Sequence, residues 1–317
     1  MLLTNLDRTS LDEVEAALRR GESVTARLAC GLPRAYRADE LAPLLDEARA
    51  DDVEVERALR LHLPPRPQGQ RRARVTAIIP THRQTPIGLH ALRRQDVELE
   101  VLVLANGPAE VSGDRVVQVD WEGHGATRQR GVELAEGDYV LLTVDDALPR
   151  GGGVVRTMVE ALEAGGYDAV FGRQVPWPST DAVTRERLRR WTPPGTDHRR
   201  VDRLDHVFAL YRRETLLASP LPAVPIGEDL HWRQGRRIGY VPTAPVVHAH
   251  PRRARALFRR TRDIHREHIA IGEAPRVPDT PTLMGALPGA VAEGLLHGPH
   301  EVACQVAELL GQWAAAR

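Results

Sequence analysis

Four short segments hold the residues whose types and spacing could do chemistry. Pro80-Thr81-His82-Arg83 follows the apolar run Val75–Ile79. A proline there interrupts strand pairing, and Thr81 and Arg83 would face the crevice beyond a strand's carboxyl end, where nucleotides lie in open α/β sheets. The same residues also fit a plain surface turn. Asp145 and Asp146 end the apolar run of LLTVDDALP. Adjacent carboxylates repel unless a cation sits beside them, and hard divalent ions such as Mg2+ take carboxylate oxygens together with substrate phosphates. A solvated turn or helix cap is the plain alternative. Glu228 and Asp229 lie in PIGEDLHW. A carboxylate partly withdrawn from water can act as a general base on a hydroxyl, whereas acids in a first helical turn also simply complement the helix dipole. His248 and His250 in VVHAHP share one face if the segment is a strand, and imidazole is a common ligand of divalent transition ions.

Positioning these residues requires alternating strands and helices. The pattern predicts strands at Val75–Ile79, Leu99–Leu104, Val116–Val119, Tyr139–Thr143 and Ala169–Gly172, with helices at about 86–95, 125–135 and 151–164. Such alternation implies an α/β fold with a mixed, mostly parallel sheet covered on both faces. Residues 176–200 are polar and proline-rich and read as a long loop of the kind that closes over a substrate. A short strand near Val207–Tyr211, an arginine-rich helix over about 252–268 and a weakly amphipathic tail from about 282 complete the chain. Before the sheet, residues 1–63 read as helical, with a capping box at Ser10 and Glu13 and a stop at Gly21. LPPRPQGQRRAR then reads as a linker. Three regions result: a helical segment and linker over 1–72, a catalytic domain over 73–270 and a helical tail over 271–317.

Composition narrows the partners. The 317 residues hold 43 basic and 43 acidic side chains, and no lysine occurs, so every fixed cation is an arginine. Zero net charge removes any general electrostatic case for nucleic acid or an anionic membrane. Cys30 and Cys304 lack metal-type spacing, and a reducing cytoplasm fits best. No export signal is expected at the N-terminus, and no run of 18 apolar residues occurs. The tail apolar residues Leu283, Leu295, Leu296, Val302, Leu309 and Leu310 fit core or dimer packing, with peripheral contact at the inner membrane face as the other option.

In their order along the chain, VTAIIPTHRQ, the Asn106-Gly107 turn, ATRQRGVELAEGDYVLLTVDDALP, the GED segment and GYVPTAPVVHAH resemble the GT-A glycosyltransferases of family 2 over about residues 75–268. VDDALP, FGRQVPWP, PIGEDLHW and VVHAHPRRARALFRRTRDIH are more specifically similar to its rhamnosyltransferase-like branch. The resemblance implies a GT-A, Rossmann-like sheet and an inverting, metal-dependent (Mg2+ or Mn2+) transfer of a sugar. The donor would be a dTDP-, UDP- or GDP-sugar, and the acceptor a saccharide or lipid-linked hydroxyl. It implies that Pro80, Thr81 and Arg83 line the nucleoside pocket, Asn106 approaches the base, Arg128 reaches the donor and Asp145 the ribose. Asp146 and His248 would hold the metal, Asp229 would be the acceptor base, and Glu228 would orient it or touch the acceptor. The chain departs from the pattern at Val144, where relatives carry a third Asp, and at Gln129, where Asn is usual. Without lysine, Arg252, Arg253, Arg259 and Arg260 are the nearby supply of cations for a diphosphate. A Mg-dependent nucleotidyltransferase and an inactive binding module of the same fold are the alternatives; the glycine- and basic-rich loop of the former is missing after the first strand.

Overall fold

The computed structural model describes residues 73–317 other than 83, 84, 109, 178, 179 and 251, preceded by three short strands. Those strands, β1 (Leu2–Leu3), β2 (Val24–Ala26) and β3 (Arg34–Tyr36), form a small sheet of their own. They depart from the helical reading of residues 1–63. The two helices expected there, with Ser10 and Glu13, lie outside the described residues.

The main sheet has nine strands. Along the chain these are β4 (Arg74–Thr81), β5 (Glu98–Ala105), β6 (Arg115–Gln118), β7 (Tyr139–Thr143), β8 (Leu148–Pro149), β9 (Ala169–Val175), β10 (Arg199–Val201), β11 (Phe208–Arg212) and β12 (Ile238–Val247). Their order across the sheet is β10-β12-β9-β11-β7-β4-β5-β6, with β8 paired to the end of β12. β11 is antiparallel to both β7 and β9, so β4, β5, β6, β7, β9 and β12 all run the same way. Their carboxyl ends therefore share one edge.

The central strands are apolar on both sides because both sides are covered. Ala77, Ile79, Val101 and Val103 pack against Val154, Val155, Met158 and Leu162 of the helix Val154–Gly165. Ile78, Leu102 and Leu104 pack on the other face with Val132, Leu216 and Trp232. These come from the helices His124–Leu134, Arg213–Ala218 and Glu228–Trp232. Two glycines permit close approach. A side chain at Gly131 would meet Ile78 Cγ2 at 2.4 Å, and one at Gly172 would meet the Ala244 carbonyl at 2.5 Å. The latter carbonyl belongs to an outward bulge of β12 between Val241 and Pro245.

Three expectations change. Pro80 does not end the strand: the ladder to β7 stops at Ile78, whereas that to β5 continues through Thr81. The 176–200 stretch is not all loop, since it contains the helix Ala182–Trp191 and strand β10. Asp181 caps that helix by accepting from the Thr184 amide at 2.8 Å, a D-x-x-T signal that the surrounding prolines obscure. The tail forms two helices, Thr280–Leu295 and Pro299–Ala315, and the second runs alongside the helix Ala254–Ala270. Leu283 is buried there while Leu295 and Leu296 remain exposed. Among the described residues no helix is long and apolar enough to cross a membrane.

Gly131→Val should lower stability by about 1–3 kcal/mol, because the added atoms enter a filled helix–sheet interface. Urea denaturation of the two proteins measures it.

Candidate active site

The shared sheet edge collects the candidate residues. Thr81 ends β4, Asn106 follows β5, Asp145 and Asp146 follow β7, Gln174 is the last residue but one of β9, and His248 and His250 follow β12. The histidines are thus beyond the strand and not within it. What sets them against Asp146 is the pairing of Leu148 with Val247 and of Pro149 with Val246. This two-residue antiparallel ladder lays the residues before β8 beside those after β12.

His248 Nε2 lies 3.5 Å from Asp146 Oδ1, and His250 Nδ1 lies 3.4 Å from Asp146 Oδ2. The two imidazoles approach each other Nε2 to Nε2 at 3.1 Å, with ring planes at 85°. Asp146 and His248 are buried and His250 is exposed. On its far side, His248 Nδ1 is 3.0 Å from Gln174 Oε1, a carbonyl oxygen that can only accept. Nδ1 therefore carries the proton and the Nε2 lone pair points into the cluster. Gln174 is oriented in turn by donating to Asp205 Oδ2 at 2.6 Å. Burial would raise the Asp146 carboxyl; whenever the imidazoles take up protons, a hydrogen bond from His248 and the charge of both rings instead hold it below its ordinary value.

Beside this cluster, Thr81 Oγ1 donates to Asp145 Oδ2 at 2.6 Å, tying the end of β4 to the end of β7. The Asn106 amide donates to the Thr81 carbonyl at 2.9 Å. Asn106 and Gly107 line a cleft of about 370 Å³ together with Gln118, Val119, Asp120 and Trp121. Asn106 Oδ1 is buried there without a protein partner. Pro80 is half-buried at the end of the same strand, and Arg83 lies outside the described residues.

The paired acids of PIGEDLHW have unlike surroundings. Glu228 is buried and accepts from Arg128 Nη1 at 2.7 Å, while His206 Nδ1 lies 2.9 Å from the same carboxylate oxygen. His206 Nε2 closes the chain by a short contact with the Tyr211 hydroxyl. Although burial opposes ionisation, the Arg128 guanidinium and then His206 hold the Glu228 carboxyl far below its ordinary value of 4.5. Asp229, next in the chain and partly exposed, goes the other way. Burial pushes its carboxyl up and, with His206 opposing, the charges of Glu228 and Asp205 add to the rise. One acid is a fixed anion and the other a proton acceptor of raised affinity.

No protein-family model matches the chain, and no curated protein is significantly similar to it in sequence. Among solved structures, the chain is similar to the mannosyltransferase PcManGT from Pyrobaculum calidifontis, determined with GDP-Man and Mn2+. That likeness has 19% identity and a TM-score of 0.54 over 96% of this chain and 97% of the other. The fold is that of the GT-A glycosyltransferases. Partial likenesses extend to GalNAc-T7 (12% identity, TM-score 0.44, 56% of this chain and 44% of the other) and to S. aureus TarS (16% identity, TM-score 0.43, 62% and 40%).

Within this GT-A frame several sequence expectations are refined. Glu228 Oε1 is shared by Arg128 and His206 in the interior. Gln129 accepts from the Leu221 amide at 3.0 Å and so braces the loop leading to Glu228. Of the four arginines offered for a diphosphate, Arg252 is withdrawn into a buried ion pair with Glu301, and Arg253, Arg259 and Arg260 stay exposed. His206, Tyr211, Gln174 and Asp205 escaped sequence analysis because no local pattern distinguishes them; only pairing across the sheet makes them neighbours. His250 carried a signal, its two-residue spacing from His248, but the family pattern assigned only His248.

Arg128→Met should cost about 3–5 kcal/mol at neutral pH, since it strands a buried carboxylate. A carboxyl depressed in the fold contributes stability that is present above its unfolded value and lost as pH falls through the folded one. The difference between wild type and Arg128→Met should therefore narrow below pH 4.5, as urea titrations across pH would show.

Proposed function

We propose that the protein is an inverting glycosyltransferase of the family-2 type, moving a sugar from a nucleoside-diphosphate donor to an acceptor hydroxyl. The observation that carries this reading is the convergence of Asp146, His248 and His250 at the sheet edge that also holds the Asn106 cleft and the Glu228–Asp229 pair. The donor set fits a divalent transition ion. Ligands about 2.1 Å from an ion lie about 3.0–3.4 Å from one another, close to the spacings among these atoms. One carboxylate with two imidazoles suits Mn2+ better than Mg2+, which prefers oxygen. An ion held by Asp146, His248 and His250 would supply Lewis-acid neutralisation of the leaving diphosphate.

The chain's own residues account for the rest. Thr81 and Asp145 shape the floor of the nucleoside pocket, and Asn106 offers its buried amide oxygen to the base. Asp229 takes the acceptor proton as the hydroxyl oxygen bonds to the anomeric carbon and the bond to the diphosphate oxygen breaks on the opposite face. Burial, and then the charge of Glu228 kept ionised by Arg128 and His206, raises the proton affinity of Asp229 and so matches it to that task. The branch resemblance favours dTDP-rhamnose. PcManGT was determined with GDP-Man, and the resemblance leaves UDP-sugars open, so guanine and uracil nucleotides belong in the same screen.

Asp229→Asn should lower kcat about 10²- to 10⁴-fold while leaving nucleotide-sugar and Mn2+ binding intact. Near-normal turnover with both substrates saturating would remove Asp229 from the role. In the wild type the acid limb of the kcat profile should lie above pH 3.8, the ordinary aspartate value, because the base must be ionised and its carboxyl is raised. In thermal melts, one of dTDP, UDP or GDP should stabilise the protein more with Mn2+ than without; no metal-dependent stabilisation by any of them would defeat the reading.

A further inference from the structure

One helix outside the sheet is tied by ion pairs both to the segment just after His250 and to the helix that braces Gln174. Arg252 stands two residues beyond His250, and its guanidinium is buried against Glu301, with Glu308 Oε2 at 3.4 Å. His300 donates from Nε2 to the Arg252 carbonyl at 2.8 Å. Gln305 donates to the same Glu301 carboxylate at 2.9 Å. All four partners belong to the C-terminal helix Pro299–Ala315.

The same helix reaches His248 by a second route. Arg187 of the helix Ala182–Trp191 grips Glu308 through two contacts, at 2.6 and 2.8 Å. At the end of that helix Trp191 Nε1 donates to Asp205 Oδ2 at 2.9 Å, and Thr192 Oγ1 donates to the Gln174 carbonyl at 3.0 Å. Asp205 orients Gln174, and Gln174 sets the His248 tautomer. Two arginines, one two residues beyond His250 and one on the helix Ala182–Trp191, thus converge on two glutamates of the terminal helix. Arg252 is a buried charge, and without its partner its guanidinium would be left unpaired in the interior; Arg187 is exposed, and its two-pronged contact ties the helix Ala182–Trp191 to Glu308.

We propose that Glu301 and Glu308 of the C-terminal helix are positioning residues for the imidazole half of the divalent-ion site. The proposal rests on the assignment of the ion to Asp146, His248 and His250 made above. It gives the tail a task in ion binding although none of its residues touches the ion. Loss of Glu301 frees Arg252 and with it the backbone that carries His250, while loss of Glu308 also frees Arg187 and loosens the hold on Gln174 and His248.

Co2+ titration of the full-length protein, followed by visible absorption, tests this. Glu301→Gln and Glu308→Gln should each bind Co2+ about 10- to 100-fold more weakly than wild type, the usual cost of losing a residue that orients a ligand. Their bands should shift toward those of a site with fewer nitrogen ligands. Glu186→Gln, which removes an exposed pair with Arg190 on the same helix as Arg187, should bind as wild type does. Circular dichroism and thermal melts report whether each variant is folded. Should Glu301→Gln fail to fold, Glu308→Gln, whose side chain is less deeply buried, supplies the same reading. Folded variants with wild-type Co2+ affinity and spectrum would overturn the positioning role alone. Failure of the wild type itself to bind Co2+ would overturn the ion assignment beneath it.

Discussion

The antiparallel pairing of Leu148–Pro149 with Val246–Val247 joins segments far apart in the chain at the point where the mostly co-directed strands of the sheet end. Almost everything at the site depends on it. Without that short ladder, Asp146 would belong to a turn after β7 and the histidines to a turn after β12, with nothing to hold them within coordination distance. A two-residue pairing is weak in isolation, so its persistence must come from its surroundings. Leu148, Val247 and Ala249 are buried together with Trp177, and the Arg150 amide donates to the bulged segment of β12 at Pro245. The hydrophobic effect thus holds a polar cluster in register, because apolar residues flank it on both segments.

Electrostatic division is the second theme. Glu228 and Asp229 are neighbours in sequence, yet the short helix they open turns one into the interior and leaves the other partly exposed. Arg128 and His206 keep the interior acid ionised, while burial and then the charges of Glu228 and Asp205 raise the proton affinity of Asp229 against the opposing His206. Two like groups acquire unlike proton affinities through environment alone, which is how a single pair can combine a structural anion with a base.

The absence of lysine gains a structural meaning through these pairs. Arg128 and Arg252 bind carboxylates in the interior, and Arg187 binds one at the surface. Arg187 uses the two-pronged geometry that only a guanidinium offers. Arginines that composition alone would assign to a phosphate ligand instead fasten the helices around the site.

Much of the frame was legible beforehand. Strands β4, β5, β7 and β9 and the helix Val154–Gly165 announce themselves because a strand buried on both faces must be continuously apolar and a half-buried helix must repeat near every third or fourth residue. Asp145, Asp146 and His248 were visible for the related reason that polar residues directly after such runs must sit at the sheet's edge, whereas Asp229 was singled out only by the resemblance of the GED segment. The helix Ala182–Trp191 was hidden, because prolines around it outweigh one capping pair. So was β8, since two residues carry no period at all. The sequence by itself determined the class of sheet, its direction and the residues placed at its carboxyl edge, for these follow from local periodicity and burial. Only the tertiary structure decided that His250 joins His248 around Asp146, that Glu228 is neutralised from within and that Arg252 turns toward the tail. Those outcomes depend on contacts between segments far apart in the chain, and no local pattern records which distant charge a side chain will meet.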